Sequence, residues 1–204
     1  MGGTLTAESP LDNASRWPVP PPDGYTVDDL FTIPDLPPHT ELIDGSLVFV
    51  SPQRRFHARM IDLLITGLRN AVPPDLAIDR EMTVVLDHRN APEPDVSVVV
   101  ASAAEDLNES RIEVKDVVLA VEVVSPDSES RDRETKPVKY ARAGIPHFWL
   151  VEKAGTDHHP VVHVYVLDTL TQAYALTGIY HDQLKITVPF DIDIDISSAA
   201  LQRL

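Results

Sequence analysis

Two acids stand where acids are costly. Glu122 follows the apolar run Val117-Val118-Leu119-Ala120-Val121 and is itself followed by Val123 and Val124. So continuous an apolar run marks a central strand buried on both faces. An ionised carboxylate there is unfavourable unless it is paired, hydrogen-bonded or bound to a metal. Ordinary pleat alternation onto a solvated face is the other reading of Glu122. Asp95 stands in PEPDVSVVV, where Pro94 limits ladder pairing, so Asp95 opens a strand. Alone, a Pro-Asp pair is a strand-entry turn. Two acids on neighbouring strands can instead share a divalent cation, which takes hard oxygen ligands. Such an ion polarises a phosphoryl oxygen and supplies hydroxide.

A basic stretch lies close by. Arg131, Arg133, Lys136, Lys139 and Arg142 are interleaved with Asp132 and Glu134, and a solvated helix face of mixed charge accounts for most of them. A lysine delivered to the acid pair would orient the attacking water or stabilise charge developing on phosphorus oxygens. Spacing alone does not choose between Lys136 and Lys139. Other constellations are weaker. Asp157-His158-His159 with His163 has the flavour of a zinc cluster but reads as a polar hairpin loop between strands. Ser125 lacks a GxSxG elbow, and there is no Walker loop or GxGxxG. Trp149 and Phe148 read as core residues of a buried strand. Arg54, Arg55 and Arg59 form a small basic patch or a solvated helix flank.

These residues need elements to hold them. Tyr25 to Phe31 predicts a short helix with Thr26 as its N-cap. ELIDGSLVFV predicts a hairpin turning at Asp44-Gly45. In residues 54–71, Phe56, Met60, Leu64 and Leu68 recur every four positions beside Ile61 and Ile65, an amphipathic helix ended by Pro73-Pro74. Short β-branched runs follow: LAID, MTVVLD, residues 95–101 and residues 116–124. Residues 125–144 are polar and helical in their second half, with Gly144 as the stop. HFWLVE, VVHVYVL, QAYALT and the strictly alternating DIDIDIS at 191–197 complete the chain. The order of helix and strands gives an α/β (α+β) mixed sheet with flanking helices and extra C-terminal strands.

Composition bounds the function. The 204 residues hold 17 Lys and Arg against 32 Asp and Glu, a formal charge of −15. Proteins that grip nucleic acid normally show net positive surface, so DNA as a partner is disfavoured by charge and would need a local basic patch or screening metal ions. There is no cysteine, which removes thiolate nucleophiles, disulfides and cysteine-ligated clusters. The first residues show no secretory signal and no run is long enough for a membrane helix, so a cytoplasmic protein with no membrane partner is expected. Eight of 18 prolines fall in the first 40 residues. Residues 1–24 are therefore read as an irregular lead and 25–204 as a single domain.

The segment LAVEVVSPDSESRDRETKPVKYARAGIPHFWLVE resembles the signature of the Uma family of restriction-endonuclease-like proteins, a branch of the PD-(D/E)XK nuclease superfamily. ELIDGSLVFVSP, a downstream helical His, and PEPDVSVVV extend the resemblance over roughly residues 40–170, with 119–151 its specific part. It implies a restriction-endonuclease-like core and a metal-dependent DNA endonuclease. Asp95 and Glu122 then match the residues that hold Mg²⁺ or Mn²⁺. The superfamily lysine two residues after the Glu is replaced by Val124, and Lys136 on the following helix matches instead. Glu41 and His57 match site-proximal positions: Glu41 as an outer ligand or supporting acid, His57 as a contact to substrate phosphate or a residue that tunes the site. Pro137 departs from the family, which carries a helix-forming apolar residue there. Proline belongs in a helix's first turn, so this helix is expected to start late, which would displace Lys136 and either leave Lys139 as the substitute or weaken the site catalytically.

The resemblance therefore implies phosphodiester hydrolysis with Lys136 assisting the attacking water. A catalytically degenerate binding or assembly module is the alternative, and a hydrolase of small phosphoesters the third reading. Nucleases of this type commonly act as homodimers, and a strand such as 161–167 at a sheet edge would be able to pair across an interface.

Overall fold

A computed structural model describes residues 19–155 and 159–204. The proline-rich lead to residue 18, with Asp157 and His158, lies outside the described residues; residues 19–24 form neither helix nor strand. α1 (Val27–Thr32) begins as the sequence predicts: the Thr26 side chain accepts from the Asp29 N–H and the Asp29 carboxylate accepts from the Thr26 N–H, a capping box. β1 (Glu41–Ile43) and β2 (Ser46–Val48) form the predicted hairpin. Asp44 and Gly45 both take positive φ, 51° and 76°, as a two-residue turn matched to strand twist requires.

The centre is a six-stranded mixed sheet. Its strands are β3 (Leu76–Arg80), β5 (Val96–Val100), β7 (Val117–Val123), β8 (His147–Ala154), β9 (His159–Asp168) and β10 (Ala173–Tyr180), with β4 (Thr83–Val85) and β6 (Arg111–Glu113) paired outside it. The spatial order is β10-β9-β8-β7-β5-β3. Within this sheet only β7 and β8 pair parallel. That pair needs a crossover, and α3 (Lys136–Ala143) with the π-helical turn Arg131–Thr135 before it supplies one. β9 has partners on both sides, so the expectation of residues 161–167 as an edge is corrected: β10 covers them, and the edges are β10 and β3.

Each face of the sheet has its own helix. α2 (Arg55–Ala71) packs Met60, Ile61, Leu64 and Leu68 against Val98, Val121 and Trp149; each such burial contributes roughly 1.5–3 kcal/mol. β11 (Gln183–Ile186), β12 (Ile192–Asp195) and α4 (Ser198–Gln202) close that core. Their alternation shows in Ile192, Ile194 and Ile196, buried between exposed aspartates. On the opposite face Tyr140 and Ile145 meet Ala120, Phe148 and Leu150. α3 stops at Gly144, whose φ of 90° is left-handed. No helix among the described residues is long and apolar enough to cross a membrane.

Candidate active site

Strand ends bring the acids together. Asp95 sits one residue before β5 and Glu122 near the end of β7, two strands that pair antiparallel. The Val123 N–H donates to Asp95 Oδ2 at 2.6 Å, fixing that carboxylate against the neighbouring strand. Glu122 pairs in register with Leu150, on the face covered by α3. Glu41 arrives from the hairpin. Leu42 and Ala91 exchange backbone hydrogen bonds, and Glu41 Oε1 accepts from the Glu93 N–H at 2.8 Å. Glu41, Glu122, Asp132 and Lys136 are all buried, Glu122 being 1% exposed and Lys136 4%.

Lys136 ties these acids together. Its Nζ lies 2.8 Å from Glu41 Oε1, 2.9 Å from Glu122 Oε2 and 3.6 Å from Asp132 Oδ1. Tyr140 donates its hydroxyl to the other oxygen of Glu122, Oε1, at 2.5 Å. Asp132, Lys136 and Tyr140 are spaced by four, so one side of the helical segment carries the whole set. The expected displacement by Pro137 does not occur. Helical backbone is continuous from residue 129 through the π turn Arg131–Thr135 into α3, and Pro137 is accommodated just past that turn, where the hydrogen-bond ladder has already shifted out of α-helical register. The π turn feeds it, with the Lys136 N–H bonding Arg131 O, five residues back. Lys139 is no substitute: it pairs with Asp44 at 2.6 Å, away from the cluster.

Burial sets the electrostatics. It pushes the Glu122 carboxyl well above its usual range, with Lys136 opposing and the acids Asp132, Asp95 and Glu41 adding to the rise. Burial likewise raises Asp132, against Lys136 and a hydrogen bond from Ser128. Burial works against the Lys136 ammonium too, but Glu122, Glu41, Asp132 and Asp95 together hold it well above the usual lysine range. The acids around Nζ thus favour its ammonium form. His57, on α2, faces the cluster from the other wall, its Nε2 3.1 Å from Asp95 Oδ1. Burial lowers its pKa, yet the Asp95 hydrogen bond and charge prevail and the net shift is upward.

Sequence reasoning missed Asp132, read as part of a solvated face, and Tyr140. Their spacing of four on either side of Lys136 is the signal that would have found them. The cluster opens into a cleft of about 550 Å³, rimmed by His39, Gln53, Arg54, Glu81, Asp127 and Arg131. His163 pairs with Glu152 in the sheet, outside this cleft.

Among the described residues no three His, Asp or Glu side chains already form a metal cage. Both oxygens of Glu122 and both of Asp95 have protein partners. The donor chemistry nevertheless fits a hard divalent cation. All the acidic donors are carboxylate oxygens, which Mg²⁺ and Mn²⁺ prefer. Three carboxylates also surround one ammonium, and the buried Asp132 Oδ1 accepts no hydrogen bond.

A family model named Uma2 and described as "Putative restriction endonuclease" matches residues 27–197. Among solved structures, the chain is similar to "a putative nuclease belonging to DUF820" from Anabaena variabilis ATCC 29413. The TM-score is 0.59 at 18% identity, over 88% of this chain and 92% of that one. At that identity the likeness is one of fold. No curated protein matches.

Proposed function

The chain belongs to the Uma2 family of restriction-endonuclease-like proteins, and on that premise we propose that it is a metal-dependent nuclease that hydrolyses phosphodiester bonds of DNA. The observation that carries this reading is the meeting of Asp95, Glu122, Glu41 and Lys136 at one cleft from four separate elements. Asp95 and Glu122 would hold Mg²⁺ or Mn²⁺, which supplies Lewis-acid polarisation of the phosphoryl oxygens. Lys136, held charged by its carboxylates, orients the attacking water and stabilises negative charge as it grows on phosphorus oxygens. Tyr140 and Glu41 keep Glu122 and Lys136 aimed. His57, beside Asp95 in the cleft lining, contacts a substrate phosphate. The expectations of a homodimer and a cytoplasmic location rest on the resemblance and the sequence alone.

Plasmid nicking with Mg²⁺ or Mn²⁺ tests the assignment. Asp95→Ala and Glu122→Ala are each expected to abolish cleavage while circular dichroism shows an intact fold. Cleavage retained by both folded variants would sink it. The surplus of acid, −15 overall, favours a second reading in which the same site cuts small phosphodiesters. Turnover of bis(p-nitrophenyl) phosphate without plasmid nicking would select that reading.

A further inference from the structure

We infer that Lys136 fills the cation position of this site until a metal arrives, and that Asp132 is the carboxylate that receives its ammonium once Glu122 is given up to the metal. The inference rests on the reading of Asp95 and Glu122 as metal-holding residues and goes beyond it by giving Asp132 a task.

Geometry sets up the exchange. Each oxygen of Glu122 already has a partner: Lys136 Nζ is 2.9 Å from Oε2 and the Tyr140 hydroxyl is 2.5 Å from Oε1. A divalent ion reaching for Oε2 meets an ammonium already there, and like charges at that separation in a buried site repel strongly. Geometry also supplies the destination. Asp132 Oδ1 lies 3.6 Å from Nζ, buried and without a hydrogen-bond donor, while its Oδ2 is held by the Ser128 hydroxyl. Shortening that separation by roughly 0.7 Å makes an ordinary hydrogen bond. Glu41 serves as the pivot, since its Oε1 bonds Nζ at 2.8 Å and is itself anchored by the Glu93 N–H. The charges agree. Glu41, Glu122, Asp132 and Asp95 against one ammonium leave a formal −3, so a divalent cation is accommodated with the lysine retained.

Asp132 is thus a positioning residue, and a double-mutant cycle on metal affinity separates it from a metal ligand. Mn²⁺ is titrated calorimetrically into the full chain as wild type, Lys136→Gln, Asp132→Asn and the double variant. Removing the competing ammonium is expected to tighten Mn²⁺ binding roughly tenfold. Asp132→Asn is expected to weaken it by a similar factor beside Lys136, and by less than about twofold beside Gln, where no ammonium needs a destination. Equal weakening in both backgrounds would overturn the assignment, because a direct ligand loses affinity whatever stands at 136. Binding unchanged or weaker in Lys136→Gln would overturn the competition, as would no Mn²⁺ binding by any variant. Should Lys136→Gln not fold alone, refolding with Mn²⁺ decides: recovery of near-UV circular dichroism supports the exchange and its absence overturns it. Plasmid nicking by the wild type is read in parallel. Coupled Mn²⁺ binding without nicking defeats the nuclease reading and leaves the exchange standing.

Discussion

One buried carboxylate, Glu122, is shared between a phenol and an ammonium, and each partner carries a separable share of its stability. Tyr140→Phe removes the one donor to Oε1 found among the described residues while keeping the ring that packs on Phe148. An acceptor left buried without a partner costs about 1–3 kcal/mol, so urea denaturation should register a loss of that size; a change under about 0.5 kcal/mol would mean that water reaches Oε1. At the cleft rim His39 pairs with Glu93, a hydrogen bond that raises the His39 pKa above 6.5. A histidine raised in the folded state contributes stability fully present below 6.5 and lost as pH rises through the higher folded value. His39→Asn, which suits the left-handed φ of 59° there, should flatten that part of the stability–pH curve in melts taken across neutral pH. An unchanged slope would remove His39 as its source. Residue types alone made Glu122 and Asp95 legible, because acids beside β-branched runs are costly. Resemblance added Glu41 and His57 and chose Lys136 over Lys139. Asp132 stayed hidden because a stretch dense in charges reads as solvated, and only the packed strand beneath it shows that one side faces inward.

Elements were readable where local chemistry is decisive and unreadable where partners decide. The Thr26 capping box, the Asp44-Gly45 turn and the Gly144 stop each follow from one or two residues. The π turn at Arg131–Thr135 has no such signature; it reconciles Pro137 with a lysine that must reach Glu122, a compromise visible only with both in place. β9 reads as an edge by pattern because its second neighbour, β10, is itself weakly apolar, with exposed residues along most of its length. Packing also overrides propensity on α2. Gly67 lies against Ile194 of β12, and a Cβ there would come within 2.6 Å of its side chain. Alanine improves helix propensity by about 1 kcal/mol, but overpacking costs about 1–3 kcal/mol. Gly67→Ala is therefore expected to lower the melting temperature, and Ile194→Ala beside it to remove the clash, making the pair strongly non-additive. A stabilised single variant would show that β12 yields to α2.

For the molecule as a whole, the difficulty is bringing a polyanion to a polyanion. With −15 formal charges over the chain, the field around it repels DNA at long range. Besides Lys136, which three buried acids already hold, local cations at the cleft are few: Arg54 and Arg131 on its lining, with Arg55 and Arg59 on the adjoining turns of α2. Against them stand Glu81, Glu93 and Asp127 on the same cleft. Divalent ions change this balance by neutralising carboxylates where phosphate must come to rest. Duplex binding followed by fluorescence anisotropy should therefore be undetectable at micromolar protein in EDTA at 0.15 M salt. It should strengthen at least tenfold with Ca²⁺, used to supply charge without rapid cleavage. The salt dependence should be shallow as well. Each phosphate neutralised contributes about −0.9 to the slope of log affinity against log salt, so four arginines limit it to about −4. A steeper slope, or tight binding in EDTA, would place DNA on another surface and detach it from the Asp95–Glu122 cleft.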